Sequence, residues 1–224
     1  MGYTHYYYTK KELATPTKWK EFCKDVKKII DYSQNELGIK LADGVSKMGS
    51  SPQIKPNEIC FNGSDEQPIG IWTTSTKISI PWPAPTAFAN EPNPDPVAEK
   101  TEGNWFAGDL LKQRVAPIND ETNLGSGSYE TFCLNRVIKD KDKIKSDEMY
   151  FDCCKTAFRP YDLVITAILV AAKHHFGDNI RIKSDGKNPE WIDGKILCNN
   201  LLGYGLEYEF IQEGEDDLLK NNKL

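Results

Sequence analysis

Residues 150–177 read YFDCCKTAFRPYDLVITAILVAAKHHFG. Two periods meet in this stretch. Met149–Lys155 carries the aromatic and cysteine content of a short strand, and a helix is predicted to start at Pro160, where a fixed φ suits the first helical position. Leu163–Ala172 is apolar nearly all round, so the helix is predicted to be buried and to form the centre of the domain. Asp162 falls in its first turn, and Lys173, His174 and His175 fall in its last, each complementing the helix dipole. Between strand and helix stand Lys155, Thr156 and Arg159. A point charge, a hydroxyl and a planar cation beside free backbone N–H groups suit an anion such as phosphate or carboxylate. The alternative is a local ion pair of Lys155 or Arg159 with Asp152 or Asp162.

Outward from this centre, Gly2–Thr9 is predicted as a strand, with Tyr3, His5 and Tyr7 on one face and Thr4, Tyr6 and Tyr8 on the other. Thr15 and Pro16 are predicted to open a helix, stopped at Gly38, whose inner face is Trp19, Phe22, Val26, Ile29 and Ile30. Its lysines form a solvated outer face. Short strands are predicted over 39–42, 58–61, 69–73 and 77–81, with turn signals at Asp43-Gly44 and Asn62-Gly63. Residues 81–96 are proline-rich and are predicted to form a long loop or lid carrying Trp82 and Phe88. A helix over 104–114, a strong strand over 129–138, a charged hairpin or loop over 139–148, a strand over 179–183, a helix over 188–202 and a last strand over 206–211 complete the reading. The predicted class is α+β, with a largely antiparallel sheet packed around a buried central helix. Residues 1–212 are predicted to form one domain and 213–224 a polar C-terminal tail.

The chain has 224 residues and a formal net charge of −5. An acidic balance argues against broad nucleic-acid binding, which rests on phosphate neutralisation. There is no apolar signal segment and no run long enough to span a bilayer, so a cytoplasmic location with no membrane partner is expected. The six cysteines, with no C-x-x-C pair, are expected to be reduced. No Walker loop, dinucleotide fingerprint, nucleophile elbow or zinc spacing occurs, and neither a metal nor a cofactor is expected.

His5, in its aromatic strand, is either an acid–base group or a hydrogen-bonded histidine of the sheet. Tyr7, Trp82 and Trp105 are candidates to contact a flat ring, with core filling as the alternative. Arg136, on the strong strand, is a candidate to join Lys155, Thr156 and Arg159 around an anion.

Met1-Gly2-Tyr3-Thr4-His5-Tyr6, Ile80-Pro81-Trp82-Pro83, Trp105-Phe106-Ala107-Gly108, Tyr129-Glu130-Thr131-Phe132, residues 154–162 and Ser184-Asp185-Gly186 together resemble a set of uncharacterised proteins from bacteria and their phages. The resemblance runs to about Gly205 and implies a single full-length domain. It brings no activity with it. A phage setting makes nucleotide-derived immune signals plausible ligands. The expectation is therefore binding of a small anionic, nucleotide-derived ligand, as in sequestration of a defence signal. The alternatives are a nucleotide or phosphoester hydrolase, with His5 as acid–base and Asp162 or Asp185 assisting, and a protein-interaction module built on exposed aromatics.

Overall fold

A computed structural model describes residues 3–66, 127–139, 145–146, 148–157, 159–186, 188–213 and 216–221. The predicted strands over 69–73 and 77–81, the helix over 104–114 and the proline-rich segment, with Trp82 and Trp105, lie outside the described residues.

The chain is α+β, and every strand pairing among the described residues is antiparallel. Strand β1 (Thr4–Thr9) is followed by helix α1 (Pro16–Asn35). Strands β2 (Leu41–Ala42), β3 (Gln53–Lys55) and β4 (Glu58–Gly63) come next. After the undescribed segment come β5 (Phe132–Asn135), β6 (Lys145–Ser146), β7 (Met149–Lys155) and helix α2 (Asp162–Phe176). Strand β8 (Ile180–Ser184), helix α3 (Asn188–Leu202) and strands β9 (Tyr208–Glu213) and β10 (Asp216–Asn221) finish the order.

The main sheet has the order β6-β7-β1-β8, so the N-terminal strand lies in its interior. Tyr3, His5, Tyr7 and Thr9 are buried, and Thr4, Tyr6 and Tyr8 are half-buried, which is the alternation the pleat requires. Helix α2 lies on the buried side. Its side chains from Asp162 through Ala172 are all buried, and α1 and α3 pack against it. Such a helix derives its stability from burial. Each fully buried Leu, Ile or Val contributes roughly 1.5–3 kcal/mol, and Leu163, Ile165, Ile168 and Leu169 are all inaccessible. Helix α1 opens as its sequence signals: the Lys18 N–H donates to Thr15 Oγ1 at 3.3 Å, with Pro16 in the first turn. Its buried stripe is Trp19, Phe22, Val26, Ile29, Ile30 and Ser33.

The second sheet joins β2, β3 and β5 to β4. Asn62-Gly63 is no turn; both residues pair with β2 inside the sheet. Gly63 is needed there, because a Cβ would sit 2.1 Å from the Gly127 carbonyl oxygen and 2.7 Å from the Tyr161 ring. Two further expectations are corrected. Cys60 and Cys133 face each other across β4 and β5 and form a disulfide, so not all six cysteines are reduced. The pairing is set by strand register between residues 73 apart, which local spacing does not reveal. The C-terminal segment is also no tail: β10 pairs with β9 along its whole length, from Asp216 opposite Glu213 to Asn221 opposite Tyr208. Leu219 is buried and anchors this hairpin.

Candidate functional site

The turn between β7 and α2 is built tightly. The backbone N–H groups of Thr156 and Ala157 both donate to the Tyr3 carbonyl, at 2.9 and 3.2 Å, and that of Arg159 donates to Thr156 O at 3.0 Å. Ala157 sits at φ 49°, a left-handed conformation uncommon for a residue with a side chain. Such a backbone persists only where its surroundings over-determine it. Here the two ends of the turn are also joined by side chains, since Thr156 Oγ1 donates to Asp162 Oδ1 at 2.6 Å.

This turn divides the predicted residues into two groups. The first points into the core. His5 Nε2 lies 2.7 Å from Asp162 Oδ1, and His5 Nδ1 lies 3.0 Å from Ser184 Oγ. With Asp162 as acceptor, Nε2 carries the proton and Nδ1 accepts from the Ser184 hydroxyl. Ser184 Oγ in turn accepts from the Gly186 N–H at 3.0 Å. His5, Thr156 and Asp162 are fully inaccessible. The rings of Tyr3 and Trp191 stand edge-on to the His5 imidazole, with centroids at 4.9 and 5.1 Å. Strand register explains the meeting, because His5 stands opposite Cys154 on one side and Ser184 on the other. The chain Ser184–His5–Asp162–Thr156 thus ties β1, β8, the turn and α2 together. It is a hydrogen-bonded clasp, and the His5 side chain at its centre is inaccessible.

The second group points the other way. Lys155 and Arg159 both approach the Tyr129 ring, with the Lys155 Nζ 5.4 Å and the Arg159 Cζ 6.0 Å from its centroid. Arg159 is only 5% exposed, yet its Nε and Nη1 find no hydrogen-bond partner among the described residues. Among the described residues no carboxylate pairs with Arg159 or Lys155, so the predicted local ion pair with Asp152 or Asp162 does not form. Burial pulls the Arg159 pKa below its ordinary value, an effect only partly offset by Tyr161 and Tyr129. A guanidinium nevertheless keeps its charge at any physiological pH. A buried, unpaired cation is costly, and that cost falls when an anion is bound beside it.

The surroundings of this corner are tied together by hydrogen bonds. Asn62, fully buried, accepts from the Tyr129 N–H at 3.2 Å, and its Nδ2 donates to Tyr129 O at 3.1 Å. The Tyr161 hydroxyl, held among buried atoms, donates to Glu130 O at 2.8 Å. Lys47 adds a third cation, with its Nζ 3.2 Å from Tyr129 O. Two carboxylates lie at the margin. Glu130 accepts from the Lys155 backbone N–H at 2.6 Å, and Asp65 accepts from the Ser128 hydroxyl.

The other predicted residues lie elsewhere. Tyr7 is buried, with its hydroxyl donating to Cys133 O at 2.8 Å, and belongs to the core. Arg136 does not join the corner. Its guanidinium is held by Asn57 Oδ1 at 2.7 Å, Glu12 Oε1 at 3.2 Å and Ala14 O at 3.1 Å. It lines a separate cavity of about 660 Å3 with Lys55, Asn57, Glu58 and Lys139. Tyr129 and Lys47 were not singled out from the sequence. Only the pairing of Glu130 with Lys155 brings Tyr129 to the site, and no local pattern encodes it.

At the far end of α2, Lys173 Nζ donates to Gly177 O at 3.0 Å, the capping role its position implies. His175 Nε2 lies 2.8 Å from Asp25 Oδ2, which also accepts from the Tyr204 hydroxyl at 2.9 Å. His174 stacks on the Tyr204 ring with centroids 3.6 Å apart. Among the described residues no group of three or more His, Cys, Asp or Glu is placed to hold a metal, and no helix is long and apolar enough to cross a membrane.

Compared with known proteins, the chain matches no family model, no curated protein and no solved structure.

Proposed function

We propose that the protein binds a small anionic, nucleotide-derived ligand in the corner formed by Lys155, Arg159 and Tyr129. One observation carries this reading: Arg159, only 5% exposed, has two guanidinium nitrogens that find no hydrogen-bond partner among the described residues, beside Lys155, whose ammonium forms no ion pair there. A phosphate supplies the missing acceptors and counter-charge together. The Tyr129 ring offers a face to the ligand's flat group. Thr156 acts indirectly, by fixing the turn rather than by touching the anion. His5 does the same from behind Asp162, which favours binding over hydrolysis.

Calorimetric titration with mononucleotides and cyclic dinucleotides tests the proposal. At least one of them is expected to bind, and Arg159→Gln is expected to weaken it by about 30-fold or more, the loss of one or two charge-assisted hydrogen bonds. No binding across the panel, or binding unchanged in Arg159→Gln, contradicts it. Ligand recovered intact fits sequestration in the cytoplasm, the task a phage counter-defence protein would perform. Ligand recovered as product points instead to a hydrolase.

A further inference from the structure

A covalent bond stands close to the Arg159 corner. Cys60 and Cys133 join β4 to β5 inside a ladder of four facing pairs, from Glu58–Asn135 to Phe61–Phe132. Both cysteines are half-buried, so the bond is not sealed in the core. The polar contacts that hold the corner continue that ladder. Just beyond Phe61, Asn62 accepts from the Tyr129 N–H at 3.2 Å and donates to Tyr129 O and Thr131 Oγ1, each at 3.1 Å. Thr131 Oγ1 donates to Gly44 O at 2.8 Å, and Lys47 reaches Tyr129 O from the same loop. Gly63 lies against the Tyr161 ring with no room for a methyl group between them. On its other side the segment from Tyr129 to Cys133 belongs to the main sheet and α2. The Glu130 N–H donates to Lys155 O, the Tyr161 hydroxyl to Glu130 O and the Tyr7 hydroxyl to Cys133 O. The corner therefore lies on a seam. Strand β4 and the Lys47 loop form one side, and β5 with the main sheet forms the other.

We infer that the Cys60–Cys133 disulfide is a redox switch on this corner. The oxidised protein keeps the seam shut, and reduction lets β4 and the Lys47 loop part from Tyr129. In the reduction, a dithiol attacks one sulfur through its thiolate and the S–S bond breaks. The dithiol leaves as its own disulfide, and Cys60 and Cys133 each gain one electron and one proton. The cross-link joins residues 73 apart, so it removes the closure entropy of a long segment. Once it is cut, that cost falls on four residue pairs and on the contacts of Asn62 and Lys47. Arg159, buried beside Tyr129 and Tyr161, is then uncovered. The consequence for binding rests on the reading of this corner as the ligand site. The opening of the seam does not.

Labelling of the full chain with phenylglyoxal, read peptide by peptide in a mass spectrometer, tests the switch without a ligand. Arg159 is expected to resist modification in the oxidised protein and to react after treatment with dithiothreitol. Hydrogen exchange over 129–133 should quicken with it, while the far-UV circular dichroism stays that of a folded chain. Cys133→Ser should behave as the reduced wild type and ignore the reductant, which separates this bond from the other cysteines. Should that variant not fold, the reduced wild type carries the comparison alone. Mononucleotides and cyclic dinucleotides are then titrated into both redox forms. Affinity is expected to fall about tenfold on reduction, as when the closed form drops to about a tenth of the population. Equal protection of Arg159 in both forms, or loss of the whole fold on reduction, overturns the switch. Failure of the oxidised protein to bind any nucleotide counts against the corner as a ligand site, and the Arg159 labelling still decides the switch.

Discussion

Two sets of polar side chains leave the same turn in opposite directions. Thr156 and Asp162 turn inward and meet His5 and Ser184, and each of these four side chains finds a hydrogen-bond partner among the others. Lys155 and Arg159 turn outward toward Tyr129, where the Arg159 guanidinium is buried with donors unmatched. The difference separates structure from function. A polar network that closes on itself needs no ligand, whereas one left open at a buried charge is stabilised by whatever closes it.

Substitutions that open the closed side test this separation. The largest effect is expected from Asp162→Ala, which strips the buried partner from both His5 and Thr156. The loss should be about 3–5 kcal/mol, seen as a lower midpoint in urea unfolding. A loss below about 1 kcal/mol would mean that the clasp does not hold the turn. Ser184→Ala removes the hydroxyl between His5 Nδ1 and the Gly186 N–H, and is expected to cost roughly 1–2 kcal/mol by the same measurement.

A smaller effect is expected at the far end of α2, where the polar groups are again satisfied. Burial acts to raise the Asp25 pKa, but hydrogen bonds from His175 and Tyr204 outweigh it and hold the carboxyl below its ordinary value. A carboxyl depressed in the folded state contributes stability that is present above its unfolded pKa, about 3.9, and is lost as pH falls through the folded value. Thermal melts across that acid range should show a decline that Asp25→Asn reduces. Equal declines in both proteins would show that the contacts at Asp25 do not set the acid limit.

Much of the scaffold was legible in the chain, and the reasons are local. The strand to Lys155, the helix behind Pro160 and the capped α1 each carry their own period and boundary residues. Most of the site was not legible. Thr156 and Lys155 are neighbours in sequence, and only strand alternation and the left-handed Ala157 send one inward and the other outward. Tyr129 reaches the corner because Glu130 pairs with Lys155, and Cys60 meets Cys133 through register across 73 residues. The β10 sequence, DDLLKN, is too polar to read as a strand alone and becomes one by pairing with β9. Whether Arg159 finds an acceptor is a property of the packed structure, and no spacing encodes it.

The most direct measurement is the thermal midpoint of the wild type and Arg159→Met, each with and without the nucleotide panel. Without ligand, removing an unpaired buried charge is expected to stabilise the protein by roughly 1–3 kcal/mol, so Arg159→Met should melt higher. With a ligand that binds, the wild type should gain stability and Arg159→Met should not. A lower melting point for Arg159→Met without ligand, together with no nucleotide effect on the wild type, would contradict the claim that Arg159 is kept buried for an anion.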